Sequence, residues 1–239
     1  MENKKAKYKR ILLKLSGESL AGNRECGIDY PTILLISREI KKCKDLGLEI
    51  GIVVGGGNFW RGRNITSMDR TRADHIGMLA TIMNSLALAD ALEECGCDVR
   101  VQTSLSILAV AEAYIRSKSI RHLQKGRVVI FGGGTGSPYF STDTAASLRA
   151  AEINADIIFK ATTVDGIYDS DPSKNLSAEK YDKISLSNVL LNELGVMDMT
   201  AAAMCKDNNI PMLVFNINNP ENIVKAVLGE QIGTVVEAK

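Results

Sequence analysis

Residues 10–18 read Arg-Ile-Leu-Leu-Lys-Leu-Ser-Gly-Glu, a short aliphatic run that ends in a serine-glycine turn. The pattern recurs at residues 49–58, Glu-Ile-Gly-Ile-Val-Val-Gly-Gly-Gly-Asn, and at residues 128–136, Val-Val-Ile-Phe-Gly-Gly-Gly-Thr-Gly. Runs of this length indicate buried strands, and the longer segments between them carry helical patterns. Such alternation predicts an α/β three-layer sandwich, in which helices cover both faces of a mostly parallel central sheet.

The remaining runs complete the predicted elements. Strands are expected at Arg10–Leu15, Glu49–Val54, Val99–Gln102, Val128–Phe131, Asp156–Lys160 and Met212–Phe215. Helices are expected at Pro31–Leu46, Arg72–Cys95, Leu105–Lys118, Thr142–Asn154, Ser187–Leu194, Thr200–Asn208 and Pro220–Leu228. Because no Pro/Ser-rich linker or repeat divides the 239 residues, we expect residues 1–239 to form one domain with two lobes.

Composition and charge exclude several classes of protein. Lys and Arg number 29 and Asp and Glu number 28, so the formal net charge is +1. This balance lacks the basic excess of proteins that bind nucleic acid or anionic membranes. Five cysteines without CxxC spacing predict neither a disulfide framework nor a zinc site. With no signal-peptide core and no apolar run of ~18 residues, we expect a soluble cytoplasmic protein.

Two lysines stand at the ends of predicted aliphatic strands. Lys14 follows Ile-Leu-Leu, and Lys160 follows Ile-Ile-Phe. A lysine in such a run either extends its amine to solvent or pairs with a carboxylate beside a cavity. Three glycine-rich turns follow strands at the same predicted sheet edge, where open α/β sheets bind ligands. The combination favours a phosphate clamp over three unrelated tight turns.

Other charged residues near these turns have two interpretations each. Asp143, Asp165, Asp171 and Asp198 could hold Mg²⁺ or orient the lysines, and each also suits a helix cap or a turn. A basic stretch contains Arg61, Arg63, Arg70 and Arg72 and could bind an acceptor phosphate or form a solvated loop. The P-loop, Rossmann and protein-kinase motifs are absent from the sequence. Any phosphate chemistry therefore requires another scaffold.

Five ordered motifs carry a resemblance to a known family. They are KLSGE at residues 14–18, GGGNFWR at 55–61, DHIGMLAT at 74–81, GTGSPYFSTD at 134–143 and KATTVDG at 160–166. Together they resemble the bacterial uridylate (UMP) kinases of the amino acid kinase superfamily, over about residues 8–235. The resemblance implies transfer of the γ-phosphoryl group of Mg-ATP to UMP, giving UDP and ADP in pyrimidine nucleotide synthesis.

The resemblance also implies roles for individual residues. For catalysis these are Lys14, Lys160, Arg61, Asp143 and Asp198. For ATP they are Lys14, Leu15, Ser16, Gly17, Gly57, Arg61, Thr162, Tyr168 and Asp171. For UMP they are Gly56, Asp74, Thr135, Gly136, Ser137, Pro138, Tyr139, Phe140, Ser141 and Thr142. The residues that match a region linked to activation by GTP are Gly22, Asn23, Arg24, Glu25, Cys26 and Gly27.

The family pattern further implies an N-terminal acceptor lobe, a C-terminal ATP lobe, a homohexamer and inhibition by UTP. Ser137 departs from the usual Thr-Gly-Asn-Pro loop but keeps a donor and an acceptor. Thr163 stands where many relatives carry Lys or Asn. Two alternatives stay open: an acid kinase of the same superfamily acting on carbamate, glutamate or aspartate, and a non-catalytic nucleotide-binding protein on this scaffold. Residues 134–143 argue against the first, and the two lysines against the second.

Overall fold

Aliphatic strands build the centre of the structure, a computed structural model that describes residues 5–60, 67–170, 172, 174–175, 177–192, 194–195 and 197–238. The strands are β1 (Arg10–Leu15), β2 (Glu49–Val54), β3 (Val99–Thr103), β4 (Glu112–Ala113), β5 (Val128–Gly132), β6 (Ile157–Thr162), β7 (Ile167–Tyr168), β8 (Lys180–Tyr181), β9 (Lys183–Ser185), β10 (Met212–Asn216) and β11 (Gly233–Glu237). The helices are α1 (Tyr30–Asp45), α2 (Arg70–Glu94), α3 (Arg116–Gln124), α4 (Thr142–Glu152), α5 (Leu186–Leu191), α6 (Met199–Asp207) and α7 (Asn222–Val227).

Within the described residues the main sheet has nine strands in the order β4-β3-β5-β2-β1-β6-β10-β11-β9. Every neighbouring pair in it is parallel except β10 with β11. Strands β7 and β8 form a separate antiparallel ribbon. Because β5, β2, β1 and β6 are consecutive neighbours that run in one direction, the turns that follow them open at the same sheet edge.

Helices cover both faces of the sheet, as the three-layer prediction requires. Alternate side chains of β1 separate the two cores. Ile11 and Leu13 pack in the core beneath α1, α2 and α7, and Leu12 packs in the core beneath α3 to α6. The predicted fold class is therefore confirmed.

The six predicted strands are confirmed to within two residues at each end, and six of the seven predicted helices to within three. The helix predicted at Leu105–Lys118 is wrong. In its place the chain forms a loop and edge strand β4, and α3 begins only at Arg116. Ser104 N donates to Gly132 O at 3.1 Å and Tyr114 N donates to Thr103 O at 3.0 Å. These bonds tie the segment to the sheet edge and prevent a helix there.

Helix α2 differs from its prediction in the face that it buries. The expected apolar face contained Ile76, Leu79, Met83, Leu86 and Leu92. Leu92 is buried, but Leu79 and Met83 are 46% and 47% exposed. By length and composition α2 could also cross a membrane, although half of its most apolar stretch is buried in the fold. A core helix of a soluble protein passes the same test.

Candidate active site

Lys14 and Lys160 lie side by side at the sheet edge because β1 and β6 pair in register, residue for residue. Both side chains point to the face that α4 covers, and the first turn of α4 carries Asp143. Lys14 Nζ is 2.9 Å from Asp143 Oδ1, and Lys160 Nζ is 2.5 Å from Oδ2. One carboxylate thus bridges two ammonium groups.

The electrostatics of this cluster come from two buried ammonium groups that share one carboxylate. Lys14 and Lys160 are each only 8% exposed. Burial raises the pKa of Asp143, but the charges of Lys14 and Lys160 outweigh burial and lower that pKa to about 2. Burial lowers the pKa of Lys160, and Asp143 opposes that change. Two cations and one anion at a sheet edge form a site for an additional anion such as a phosphoryl group.

Asp198 orders the backbone next to this cluster. The Ser141 hydroxyl caps α4 by accepting from Asp143 N at 3.0 Å, and it donates to Asp198 Oδ2. Asp198 also accepts from Thr144 Oγ1 at 2.9 Å and from Ala201 N, also at 2.9 Å. The carboxylate of Asp198 therefore joins the first turns of α4 and α6.

The large cavity, about 910 Å³ in volume, opens at the carboxyl ends of β1 and β6. It is lined by Lys14, Ser16, Glu18, Ser141, Asp143, Lys160, Thr162, Val164, Gly166, Ile167, Tyr168, Asp169, Ser170, Pro172, Asn192, Leu194, Gly195, Met197, Asp198 and Val214. Tyr168 donates its hydroxyl to Asp165 Oδ1 at 2.8 Å, which orients an aromatic ring at the wall. Predicted ATP residues Lys14, Ser16, Thr162 and Tyr168 all lie here.

The small cavity, about 380 Å³ in volume, lies beside the glycine turns that follow β2 and β5. It is lined by Glu18, Gly56, Gly57, Trp60, Arg70, Ala73, Asp74, Gly77, Met78, Thr81, Gly134, Thr135, Phe140, Ser141 and Thr142. Predicted UMP residues among them are Gly56, Asp74, Thr135, Phe140, Ser141 and Thr142. Gly57, predicted on the ATP side, also lines this cavity.

Glu18 and Ser141 line both cavities, so the two spaces meet at these residues. Ser141 is two positions before Asp143, which places the junction next to the charged cluster. A group bound in one cavity can therefore approach a group bound in the other. Sequence reasoning missed Glu18 as a site residue, although it directly follows the Ser-Gly turn after β1.

Glycines are required where two turns touch. A Cβ on Gly17 would lie 2.5 Å from Gly57 N, closer than real Cβ atoms come to any atom. Predicted ATP residues Leu15 and Gly17 line neither cavity: Leu15 is core, and Gly17 packs on the second turn. Leu15 and Gly17 therefore support the site by packing beneath it and do not line either cavity.

The loop between β5 and α4 is held from two sides. Gly133, Gly134 and Gly136 have φ of +79°, +59° and +85°, a backbone region that favours glycine. Gly133 N donates to Thr81 Oγ1 at 2.8 Å, and Tyr139 N donates to Asp74 Oδ2, also at 2.8 Å.

Asp74 lines the small cavity and also holds the outer part of this loop. Asp74 also accepts from Arg70 Nε at 2.9 Å. Predicted UMP residues Gly136, Ser137, Pro138 and Tyr139 belong to the outer part of the loop and do not line the cavity. Sequence reasoning missed Trp60 and Thr81, whose roles arise only when α2 packs beside the glycine turns.

A buried amide pair joins the second glycine turn to α2 and to the predicted effector segment. Asn84 Nδ2 donates to Gly55 O and to Asn58 Oδ1, both at 2.7 Å. Asn58 Nδ2 donates to Gly27 O, likewise at 2.7 Å. Residues 22–26 are exposed and line neither cavity. The segment is thus outside the two cavities but bonded to the glycine turn.

Three candidate site residues, Arg61, Arg63 and Asp171, lie outside the described residues. Their predicted roles stay predictions.

Comparisons with known proteins agree with this geometry. The sequence pattern of the amino acid kinase family matches residues 9–216. The structure is similar to a UMP kinase from Bacillus anthracis, with a TM-score of 0.94 and 42% identity over 97% of each chain. A UMP kinase from Ureaplasma parvum gives a TM-score of 0.92 and 39% identity over 97% of this chain and 99% of its own. A uridylate kinase from Archaeoglobus fulgidus gives a TM-score of 0.74 and 30% identity over 95% of this chain and 99% of its own. The family match spans most of the chain, and the chain belongs to the amino acid kinase family.

Proposed function

We propose that this chain is a UMP kinase that transfers the γ-phosphoryl group of Mg-ATP to UMP and forms UDP and ADP. The observation that carries the proposal is the meeting of two cavities at Glu18 and Ser141, next to the Lys14–Asp143–Lys160 cluster. The large cavity has room for a nucleoside triphosphate, and the small cavity suits a nucleoside monophosphate. The similar structures are UMP kinases, which supports UMP as the acceptor.

The transfer step needs aligned reactants and fixed positive charge. A UMP phosphate oxygen is already anionic near neutral pH, so it can attack the γ-phosphorus in line without a general base. In the transition state, negative charge spreads over the three equatorial oxygens of the phosphoryl group. Lys14 and Lys160 meet that charge from adjacent strands, and Asp143 holds both ammonium groups in position.

Mg²⁺ would enter with the ATP phosphates. Across the described part of the chain no three His, Cys, Asp or Glu side chains cluster as a metal site. This fits Mg²⁺, which keeps several waters and binds chiefly through substrate phosphates and one or two carboxylates. Asp143, Asp198 and Glu18 are carboxylates at the wall of the large cavity that could supply such a ligand. When bound, the metal neutralises phosphate charge.

An ADP-release assay tests the proposed acceptor. ATP and Mg²⁺ are supplied with UMP, CMP, carbamate, glutamate or aspartate in turn, and product nucleotides are identified. We expect ADP release with UMP and formation of UDP. Release with an acid but not with UMP would identify an acid kinase instead. ATP binding without turnover on any acceptor would favour a non-catalytic nucleotide-binding protein.

The Asp74→Asn substitution is expected to raise the KM for UMP about 10-fold and to leave the KM for ATP unchanged. The change removes the charge that holds Arg70 and weakens the anchor of Tyr139 N, and a bond to a charged group contributes about 1.5–3 kcal/mol. Initial rates with each substrate varied measure both constants. Asp45→Asn, which removes an exposed carboxylate on α1, is the control. Equal increases in both KM values would contradict the assignment.

We also propose the lobe arrangement and cell compartment expected from the sequence. The residues that line the small cavity all precede position 143, and those of the large cavity lie at 14–18 or from 141 onward. This division supports an N-terminal acceptor lobe and a C-terminal ATP lobe within one domain. A UMP kinase would serve pyrimidine nucleotide synthesis, and we propose a cytoplasmic location for this chain.

We propose that the chain forms a homohexamer in which the exposed apolar stripe of α2 is a subunit contact. Leu79, Met83 and Leu86 follow one another at helical spacing and are 46%, 47% and 36% exposed. Apolar side chains aligned in this way are typical of a protein interface.

Met83→Glu is expected to produce smaller species in sedimentation velocity at micromolar concentration while the circular dichroism spectrum is retained. A carboxylate at this stripe would have to be desolvated on assembly. Leu191→Glu introduces the same charge at a 79% exposed leucine of α5 and is the control. A monomeric wild-type protein, or unchanged assembly of the Met83 variant, would contradict the proposal.

We further propose activation by GTP through residues 22–27 and inhibition by UTP in competition with UMP. The bonds from Gly27 to Asn58 give this segment a direct connection to the turn that borders the small cavity. UTP shares the uridine of UMP, which explains competition at that cavity. Initial rates at subsaturating UMP measure both effects. Rates that neither nucleotide alters would contradict this regulation.

A further inference from the structure

Arg149 is a buried cation that the transfer chemistry does not use. It lies on α4 and is 4% exposed. Its Nη1 contacts Glu152, and its guanidinium carbon lies 3.7 Å from the centre of the Tyr114 ring. Its Nε has no hydrogen-bond partner within the described structure. Because an apolar side chain of similar volume would fill this space without the cost of burying a charge, simple packing does not account for the arginine.

The third group that Arg149 contacts leads to the small cavity. Arg149 Nη2 donates to Ser104 Oγ at 2.8 Å, and Ser104 Oγ lies 2.9 Å from Gly134 O. Arginine has only donors and a hydroxyl has one proton, so Ser104 must accept from Arg149 and donate to Gly134. The arginine therefore fixes the direction in which the serine hydroxyl points.

Ser104 also supports the glycine loop through its main chain and Cβ. Its N–H donates to Gly132 O at 3.1 Å. A Cβ on Gly136 would lie 3.0 Å from Ser104 Cβ, so the loop packs directly on this residue. Gly134 and Thr135 on the other side of the loop line the small cavity. Ser104 thus supports this wall of the small cavity from the side opposite the cavity.

We infer that Arg149 is a positioning residue for the acceptor nucleotide, which it serves by holding residues 133–136 in place through Ser104. The inference rests on the proposed function, because it assigns the small cavity to the acceptor. The loop needs support from outside, since its left-handed glycines would otherwise leave many conformations accessible. Asp74 holds the far end of the loop at Tyr139, and Arg149 with Ser104 holds the near end.

The test compares Arg149→Met, Ser104→Ala and the double variant with the wild type in steady-state kinetics and in direct UMP binding by calorimetry. We expect each single change to raise the KM and Kd for UMP about 10-fold, because each breaks the bond chain that runs from Arg149 through Ser104 to Gly134. The KM for ATP should stay within about two-fold. The double variant should resemble the more affected single variant, because both residues act through one bond chain.

Ser119→Ala is the control, because it makes the same substitution at a fully buried serine whose hydroxyl bonds to Gln102, away from both cavities. Ser104→Ala removes one oxygen atom and keeps the test available if Arg149→Met does not fold. Equal increases in both KM values, additive effects in the double variant, or an unchanged KM for UMP in Ser104→Ala would overturn the inference alone. A wild-type protein that neither binds UMP nor forms UDP would overturn the proposed function, and the inference with it.

Discussion

Replacing Lys14 with alanine is expected to lower kcat for UDP formation about 1,000-fold, because fixed cations and hydrogen-bond donors aimed at transition-state charge contribute two to three orders of magnitude each. Lys14 and Lys160 contact the same carboxylate, so the wild-type cluster carries one net positive charge. Without Lys14, Asp143 and Lys160 form a neutral pair. The transferred phosphoryl group then loses one of the two ammonium groups that would stabilise it.

The Lys14→Ala variant should fold. Asp143 keeps its contact with Lys160 at 2.5 Å, so no buried charge is left without a partner. Single-turnover rates at saturating ATP and UMP, together with urea unfolding, separate the loss of chemistry from any loss of fold. Lys183→Ala removes an exposed lysine that pairs with Glu237 far from the cavities and should leave both measurements unchanged. Near-normal turnover by a folded Lys14→Ala protein would refute the role of Lys14.

The positions of Lys14 and Lys160 could be predicted from the sequence only in part. Aliphatic runs predict β1 and β6, and a lysine near the end of each is visible in the sequence. Their meeting depends on β6 pairing in register with β1, although Lys14 and Lys160 are 146 positions apart in the sequence, and no local pattern specifies that pairing. The sequence therefore predicts two lysines at strand ends on one edge of the sheet. Only the tertiary structure shows that both contact the carboxylate of Asp143.

The structure differs from the sequence prediction in two other places, and long-range contacts are the cause in both. The apolar residues of α2 surround most of the helix, so periodicity does not indicate which face packs on the sheet, and Met83 is exposed. At Leu105–Lys118 helix propensity was overridden because Ser104 is held under the glycine loop. In both cases long-range contacts decided what local sequence left open. Helix caps depend on local sequence instead: Asp29, one residue before α1, accepts from Thr32 N at 3.1 Å.

The Asp143→Asn substitution is expected to destabilise the protein by about 2–5 kcal/mol at pH 7, more than any other change at the site. It leaves two buried ammonium groups in register with no anion between them, whereas Lys14→Ala leaves a balanced pair. The lowering of the Asp143 pKa from 3.8 to about 2 corresponds to about 2 kcal/mol of stabilisation by the ionised form. Urea unfolding of the two proteins measures the difference.

The pH dependence follows from the direction of this pKa change. A carboxyl group whose pKa is lowered on folding stabilises the folded state fully above its unfolded pKa, and that stabilisation is lost as the pH falls through the folded pKa. The difference in free energy of unfolding between wild type and Asp143→Asn should therefore be constant from pH 7 to about pH 4 and should narrow towards pH 2. A gap that stays constant to pH 2.5 would contradict an ionised, buried Asp143.

ATP should reduce this difference in free energy of unfolding at pH 7, because its phosphates bring negative charge to the two lysines that Asp143→Asn leaves without their carboxylate. Asp98→Asn is the control: Asp98 also lies between two cations, Arg100 at 2.6 Å and Arg127 at 2.7 Å, but is half exposed at the surface. Its loss should cost less than about 1 kcal/mol and should not respond to ATP. An Asp143→Asn deficit that is equal with and without ATP would mean that the phosphates bind away from the lysines, and it would refute the assignment of the cluster to phosphoryl transfer.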